Sequence, residues 1–334
     1  MSKTMKRCYY DKLTFENLYN AYIRASKSKR SKKEVINFEL NLETNLIRIY
    51  NDLYNLTYIP SKYRTFTIHE PKERVINALP FYDRVIHQFY VEEFIKSFYV
   101  KRFIKDTYAC IENRGTHAAV LKLQYYLKNK YLENNNLYVL KCDIKKFFFN
   151  INRDILFNII KKNSHDKYFL KLSKIIIYSF NENYIPIGNY TSQYYANIYL
   201  NELDHFIKDQ LNIKYYIRYM DDFILLLNNK NECIYYLNKI KLFLNDNLNL
   251  DLNNNTRYFK FNNYIDFCGY LVHLNILLPR KRNVRKVFKL INNYDFNYDK
   301  FYKSMNSYLA YLEYTTCYSL KREIFRRINN IKSL

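Results

Sequence analysis

The stretch Ile217-Arg218-Tyr219-Met220-Asp221-Asp222-Phe223-Ile224-Leu225-Leu226-Leu227 sets two adjacent carboxylates between segments that read as buried β-strands. Burying like charges side by side is costly without compensation, so the pair needs a reason. A strand, a tight turn and a second strand would carry both carboxylates to the rim of a sheet, where their oxygens can ligate a divalent cation. A third acid lies upstream. Asp143 closes Leu137-Tyr138-Val139-Leu140-Lys141-Cys142, a run that alternates like a half-buried strand. Three carboxylates at the ends of neighbouring strands can bind two Mg²⁺ ions, which clamp the attacking and leaving oxygens of a phosphoryl transfer. The bland alternative is a hairpin turn that simply favours aspartate.

Composition narrows the class. With 334 residues the chain can bury a sizeable core in two or three subdomains. No apolar run reaches the ~18 residues of a membrane span, so no membrane association is expected. The basic N-terminus, residues 1–12, lacks an apolar signal core. Six cysteines without a CxxC pair indicate neither a disulfide framework nor a zinc site, and they suit a reducing cytoplasm. A formal net charge of +23 favours a polyanionic partner, most naturally nucleic acid. The abundance of Lys, Asn, Ile, Tyr and Phe is also what an AT-rich genome produces, and a solvated surface is the alternative for any one cluster, such as residues 27–33.

Periodicity organises the rest. The first 55 residues read as helices, with apolar spacing at Leu13, Phe15, Leu18 and Tyr22 and again at Val35, Phe38, Leu42, Leu46 and Ile49. Residues 64–68 and 74–76 read as short strands joined by the turn Glu70-Pro71-Lys72-Glu73. Helices are predicted over 82–99, 116–128, 153–163, 167–179, 191–209 and 233–247. A strand-rich stretch covers 257–278, and the tail from 283 is helical.

Several of these segments resemble reverse transcriptases. Tyr219-Met220-Asp221-Asp222 resembles their YxDD box, and Asp143-Ile144-Lys145-Lys146-Phe147-Phe148 resembles their first catalytic box, an aspartate followed five residues later by an aromatic. Ile185-Pro186-Ile187-Gly188-Asn189-Tyr190-Thr191-Ser192-Gln193 resembles the loop that faces the incoming nucleotide. Phe267-Cys268-Gly269-Tyr270 resembles the primer-grip box. The four boxes stand in the family's order, and the resemblance covers residues 56–310. The three glycines of the chain, Gly115, Gly188 and Gly269, all fall inside such motifs.

The resemblance implies an α+β right-hand polymerase: a helical segment over 1–55, fingers over 56–136, a palm with the catalytic hairpin over 137–278 and a helical thumb over 279–334. It makes Asp143, Asp221 and Asp222 the catalytic metal ligands for two Mg²⁺, with Mn²⁺ as the other compatible ion. If the chain is extended there, Asp221 and Asp222 face opposite sides. Phe148 falls at the family's steric gate, which excludes a ribose 2′-OH; the alternative is a core phenylalanine beside Phe147 and Phe149. Lys72 and Arg74 resemble the pair that grips the triphosphate, with a solvated hairpin as the alternative. Ile187, Gly188 and Gln193 line the nucleotide loop, and Phe267, Cys268, Gly269 and Tyr270 form the primer grip. Arg84, in Phe81-Tyr82-Asp83-Arg84, resembles a family residue of the fingers, with a structural role as the alternative.

Two departures refine the expectation. Many reverse transcriptases carry Gln-Gly and Ser-Pro where this chain has Ile187-Gly188 and Ser192-Gln193. That form, with Arg114-Gly115-Thr116-His117-Ala118-Ala119, resembles the diversity-generating retroelement type, whose members copy a template RNA with errors at adenines and work with a small helical accessory protein. Where the family has a Lys-Thr pair past the hairpin, this chain has Asn255-Thr256 followed by Arg257, which leaves open the cation for the departing pyrophosphate. The length after Pro279 suits three short thumb helices rather than the added C-terminal region of a maturase. The implied activity is RNA-directed DNA polymerisation on template RNA, a primer or cDNA strand and dNTPs. An antiphage-defence reverse transcriptase is the close alternative. A catalytically silent RNA-binding scaffold is the alternative from another class, which need not keep all three acids.

Overall fold

The computed structural model describes residues 4–69, 73–294 and 298–332. The order of elements follows the apolar periodicity closely. Four short helices come first: α1 (Tyr9–Lys12), α2 (Phe15–Ser26), α3 (Lys33–Glu39) and α4 (Leu42–Tyr54). The hairpin β1 (Arg64–Ile68) and β2 (Arg74–Ala78) precedes α5 (Phe81–Tyr90) and α6 (Thr116–Glu133). Then come β3 (Tyr138–Asp143), α7 (Phe147–Asn150), α8 (Arg153–Lys162), α9 (Lys167–Ile177) and α10 (Tyr190–His205). The hairpin β4 (Tyr216–Tyr219) and β5 (Asp222–Leu227) is followed by α11 (Lys230–Leu248), β6 (Arg257–Lys260), β7 (Ile265–Phe267), β8 (Tyr270–Val272) and β9 (Leu277–Pro279). Three helices end the chain: α12 (Lys281–Asn292), α13 (Tyr298–Glu313) and α14 (Tyr318–Lys332). The fold is thus mixed helix and strand. Among the described residues no helix is long and apolar enough to cross a membrane.

These elements form two compact units that alternate along the chain. The first comprises Met1–Lys105, Asp143–Ile213 and Asn238–Asn255; the second comprises Asp106–Cys142, Lys214–Leu237 and Thr256–Leu334.

The first unit is mainly helical. Its helices start where short polar side chains can serve the unpaired amides of a first turn. The Thr14 hydroxyl accepts from the Asn17 amide at 3.1 Å, and Asn152 accepts from the amides of Asp154 and Ile155 at 2.9 and 3.1 Å. Asp166 serves two helices at once. One carboxylate oxygen caps α9 through Tyr168 and Phe169, both at 3.1 Å, while the other takes the amides of Cys8 and Tyr9 at 2.7 and 2.8 Å. The core is aromatic, with Tyr9 stacked on Phe94 and Tyr90 on Phe169, each at 5.7 Å between ring centres. Two helices reach their expected ends through a change of hydrogen-bond pattern. α5 continues through a π-helical stretch, Val91–Lys96, and α10 through another, Phe206–Gln210. Such turns insert an extra residue that 3.6-residue periodicity does not foresee. Asp83 and Arg84 take structural roles: buried Asp83 accepts from the Tyr58 hydroxyl at 2.7 Å and the Ser61 amide at 3.0 Å, while Arg84 pairs with Glu34 and lies over the Phe81 ring.

The second unit is built on sheets. Four strands lie in the order β4-β5-β3-β6, and three in the order β7-β8-β9. α6 packs its buried face of Ala119, Val120, Leu123 and Leu127 into one cluster with Val139, Ile217, Ile224, Leu226, Phe267 and Tyr270. α12, α13 and α14 enclose their own smaller core, centred on Val287, Met305 and Ile324.

One loop of the first unit bears on function through its packing. The Asn77 amide on β2 donates to the Ile187 carbonyl at 2.8 Å, and the Ser192 hydroxyl donates to the Pro186 carbonyl at 2.7 Å. Gly188 sits at φ 122°, and a Cβ there would lie 2.7 Å from Ile76 Cγ2 and 3.1 Å from the Asn77 carbonyl oxygen. Close approach of the loop to β2 therefore requires glycine. Gly188→Ala is expected to cost about 2 kcal/mol of stability, combining backbone strain with overlap. Urea denaturation of the variant checks this, and a loss within ~0.5 kcal/mol would mean that the loop lifts off β2 freely.

Candidate active site

The turn that carries the paired acids is the shortest a hairpin allows. β4 and β5 pair antiparallel, with Tyr219 opposite Asp222 as the last pair, so Met220 and Asp221 form a two-residue loop. Met220 has φ 58°. Two-residue hairpin loops need positive φ at their first central residue, because their twist must match that of the strands. The chain is therefore not extended through the motif, so the condition under which Asp221 and Asp222 would face opposite sides is not met. Asp221 stands in the loop, whereas Asp222 opens β5.

Arg218, fully buried, supports this turn from β4. Its guanidinium donates to the Met220 carbonyl at 3.0 Å, on the loop itself. Its backbone is held on the other side: the Arg218 amide donates to the Asp106 carbonyl at 2.9 Å, and the Tyr108 amide donates to the Arg218 carbonyl at 3.1 Å.

Asp222 lies beside a lysine from the neighbouring strand. Lys141 Nζ is 3.2 Å from Asp222 Oδ2 and also donates to the Asp266 carbonyl. The other carboxylate oxygen of Asp222, Oδ1, is shielded from solvent. Lys141 is thus a cation beside Asp222, whereas Arg257, at the start of β6, is exposed. Cys268 belongs to the same neighbourhood. Burial pushes its thiol well up, and the Asp222 carboxylate adds to the rise.

Phe267, Cys268, Gly269 and Tyr270 form a second two-residue turn. Phe267 pairs with Tyr270, both fully buried, and the loop residues Cys268 and Gly269 have φ 48° and 92°. Two consecutive left-handed residues make a type I′ turn, which glycine at the second position accommodates without strain.

The remaining candidates belong to the first unit. Asp143 is the last residue of β3, a strand that lies beside β5 in the sheet order. Its carboxylate accepts from Asn253 Nδ2 at 3.0 Å, and the Asn253 amide returns to the Asp143 carbonyl at 2.7 Å. The Lys145 amide donates to the Asp251 carbonyl at 2.9 Å, so residues 251–253 strap the chain just past β3. Of the three phenylalanines that follow, Phe147 is 2 % exposed and Phe149 42 %, with Phe148 half-buried between them. Phe147 is therefore the core residue, and Phe148 keeps a free edge. Ile187 is half-buried and Gln193 exposed on α10. Arg74 is exposed at the start of β2, and Lys72 lies outside the described residues.

Sequence reasoning missed three residues here. Lys141 and Arg218 sit in strands whose apolar neighbours dominate the pattern, and Asn253 sits in an asparagine-rich run with no periodic signal. A basic residue inside an apolar strand was the usable signal for the first two, because a buried cation needs a specific partner. The chemistry of the three aspartates, all hard oxygen donors, fits a cation such as Mg²⁺. Among the described residues no group of three or more His, Cys, Asp or Glu is gathered closely enough to hold a metal ion.

Comparisons place this geometry in a known fold. No curated protein matches the sequence. A telomerase from Candida albicans, solved with a fragment of telomeric RNA, matches at a TM-score of 0.51 and 12 % identity over 82 % of this chain. This chain spans only 57 % of that telomerase. An apo telomerase from Candida tropicalis matches at 0.48 and 13 % identity, over 66 % of this chain and 49 % of its own. The family described as reverse transcriptase (RNA-dependent DNA polymerase) matches residues 66–270, a span that takes in all four sequence boxes and more than half of the chain. The chain belongs to the reverse transcriptase family.

Proposed function

We propose that this chain is an RNA-directed DNA polymerase of the diversity-generating type, extending a primer or cDNA strand with dNTPs on template RNA. The observation that carries the reading is the β4–β5 hairpin. It sets Asp221 in a two-residue loop and Asp222 directly after it, at the start of β5. Asp143, Asp221 and Asp222 would hold two Mg²⁺, which would supply charge neutralisation for phosphoryl transfer. Residues 56–136 serve as fingers, 137–278 as palm and 279–334 as thumb, with 1–55 as a helical N-terminal segment. A cytoplasmic setting suits six cysteines that are all free thiols. A small helical accessory protein is the partner of this type.

Each side chain then has a task. Lys141 offsets part of the charge of Asp222, so two adjacent carboxylates can share a turn. Arg74, exposed on β2, and Lys72 receive the triphosphate through charge-assisted contacts. The half-buried edge of Phe148 lies under the sugar and excludes a 2′-OH. Ile187 and Gly188 present apolar side chain and bare backbone to the nucleotide, Gln193 supplies an amide, and Phe267, Cys268, Gly269 and Tyr270 hold the primer end.

Mg²⁺-dependent dNTP incorporation on a primed RNA is expected of the wild type and should vanish in Asp221→Asn/Asp222→Asn, because amides are far poorer ligands for a hard cation. Full activity in the double variant would return both acids to a structural turn and favour a silent RNA-binding scaffold.

Phe148→Ala should admit rNTPs in primer extension with rNTPs alone. Unchanged sugar discrimination would assign the half-buried ring to packing against Phe147 instead.

Fidelity is expected to be low. The side chain of Ile187 cannot hydrogen-bond a nucleotide, and losing about 1.4 kcal/mol of discrimination raises errors roughly tenfold. Ile187→Gln should lower misincorporation opposite template adenines while polymerisation persists. Sequencing cDNA from both forms on one template decides this, and equal, low error rates would favour an antiphage-defence role.

A further inference from the structure

The tip of the β7–β8 hairpin is held by side chains from two helices, and the chemistry of those contacts exceeds what packing alone requires. The Gly269 carbonyl accepts from the Tyr311 hydroxyl, on α13, and from the Arg280 amide at 3.2 Å. The Arg280 amide also reaches the Tyr311 hydroxyl at 3.3 Å, which closes a triangle of three polar groups on the turn. A Cβ added at Gly269 would meet the Tyr311 ring at 3.7 Å, so the ring lies over the turn with room for no more than a methyl group between them. Arg280 is anchored in turn by its Nε, 2.5 Å from Asp266 Oδ1 on β7.

The residue after the turn is held as firmly. Buried Tyr270 donates its hydroxyl proton to the Tyr311 carbonyl at 2.9 Å, and its ring lies 4.4 Å from that of Tyr311. The same hydroxyl is 2.8 Å from Nδ1 of His117 on α6. A phenol has one proton. With that proton committed to the Tyr311 carbonyl, the phenol oxygen must accept from His117, so Nδ1 carries the hydrogen. Burial lowers the pKa of His117, which favours the neutral ring. The imidazole is clamped by Tyr314, stacked at 4.1 Å and 13°. A further link ties β9 to the loop after α13: the Thr316 amide donates to the Leu277 carbonyl at 2.9 Å, and the Leu277 amide donates to the Thr316 hydroxyl at 3.1 Å.

We propose that Tyr311 and His117 are positioning residues that lock the Cys268–Gly269 turn to α13 and α6, so that the turn presents the primer terminus from a fixed place. Nothing in the boxes shared with the family assigns a role to either residue. His117 belongs to the Arg114–Ala119 motif, whose histidine this accounts for. The primer part of the inference rests on the polymerase reading; the lock itself does not.

The test compares Tyr311→Phe, which keeps the ring and removes the hydroxyl, with His117→Ala and His117→Asn, whose amide can replace the Nδ1–H. Primer extension on a primed RNA gives turnover at saturating dNTP, and fluorescence anisotropy gives the affinity for the primed duplex. Turnover is expected to fall about five- to tenfold in Tyr311→Phe and His117→Ala, roughly the effect of one lost hydrogen bond. His117→Asn should recover most of it, with duplex affinity within about twofold and the melting temperature near wild type throughout. Wild-type turnover in Tyr311→Phe, or a loss that follows duplex affinity or melting temperature instead, would overturn the positioning role. If the wild type extends no primer, the polymerase reading fails, and amide hydrogen exchange of the peptide spanning residues 267–280 decides the lock alone. Faster exchange in Tyr311→Phe upholds it, and unchanged exchange removes it.

Discussion

A guanidinium withdrawn from water has to be met by acceptors, or the cost is several kcal/mol. Arg218 meets that demand in the one place where the chain most needs bracing. Its side chain donates to the carbonyl of Met220, the residue held left-handed in the two-residue loop. A non-glycine residue in that conformation costs on the order of 1–2 kcal/mol, and a bond to its own carbonyl from a rigid, buried donor offsets part of this. The strand that bears Arg218 is in turn bridged to Thr107. Loop, buried cation and the segment around residue 107 form one supported assembly, and the carboxylates of Asp221 and Asp222 ride on it. Substituting a hydrophobe for Arg218 would leave the Met220 carbonyl without this donor and loosen the very turn that places the acids.

The fold was legible in the sequence wherever one periodicity ruled. α2 and α4 repeat apolar residues every three or four positions, and β5 is an unbroken apolar run after Asp222, so both kinds of element follow from their spacing alone. The helices predicted over 82–99 and 191–209 reach those ends, but a different hydrogen-bond pattern takes over before they do. The π-helical stretches after α5 and α10 have helical composition, and nothing in their residues announces the changed register. The interleaving of two units was also hidden, because it depends on which distant segments pair. β3 finds its antiparallel partner in β6, whose Arg257 and Lys260 give no hint of it.

The candidate site was legible as residue types, less so as an environment. Acids between apolar runs are conspicuous because they defy burial, and glycines are conspicuous in a chain that has three. Partners are a different matter. That Lys141 meets Asp222, or that Asn253 meets Asp143, depends on strand neighbours and on a strap more than a hundred residues away. The triplet Phe147-Phe148-Phe149 illustrates the limit. Its three rings are chemically identical, yet the short helix α7 buries the first, half-buries the second and exposes the third against Tyr184. Only the local backbone, with Lys146 at φ 45°, decides which ring faces where.

The alternation of the two units along the chain, with crossings after residues 105, 142, 213, 237 and 255, has a consequence for biosynthesis. β3 leaves the ribosome long before its outer partner in the sheet: Arg257 of β6 comes 114 residues after Asp143. At roughly 5–20 residues per second that interval is on the order of ten seconds. Throughout it the apolar side chains of Val139, Leu140 and Cys142, buried in the finished molecule, have no completed sheet to enter. A nascent chain of this design cannot finish folding its first half before its second, so its yield in a cell depends on translation tempo and on whatever shields that strand in the meantime.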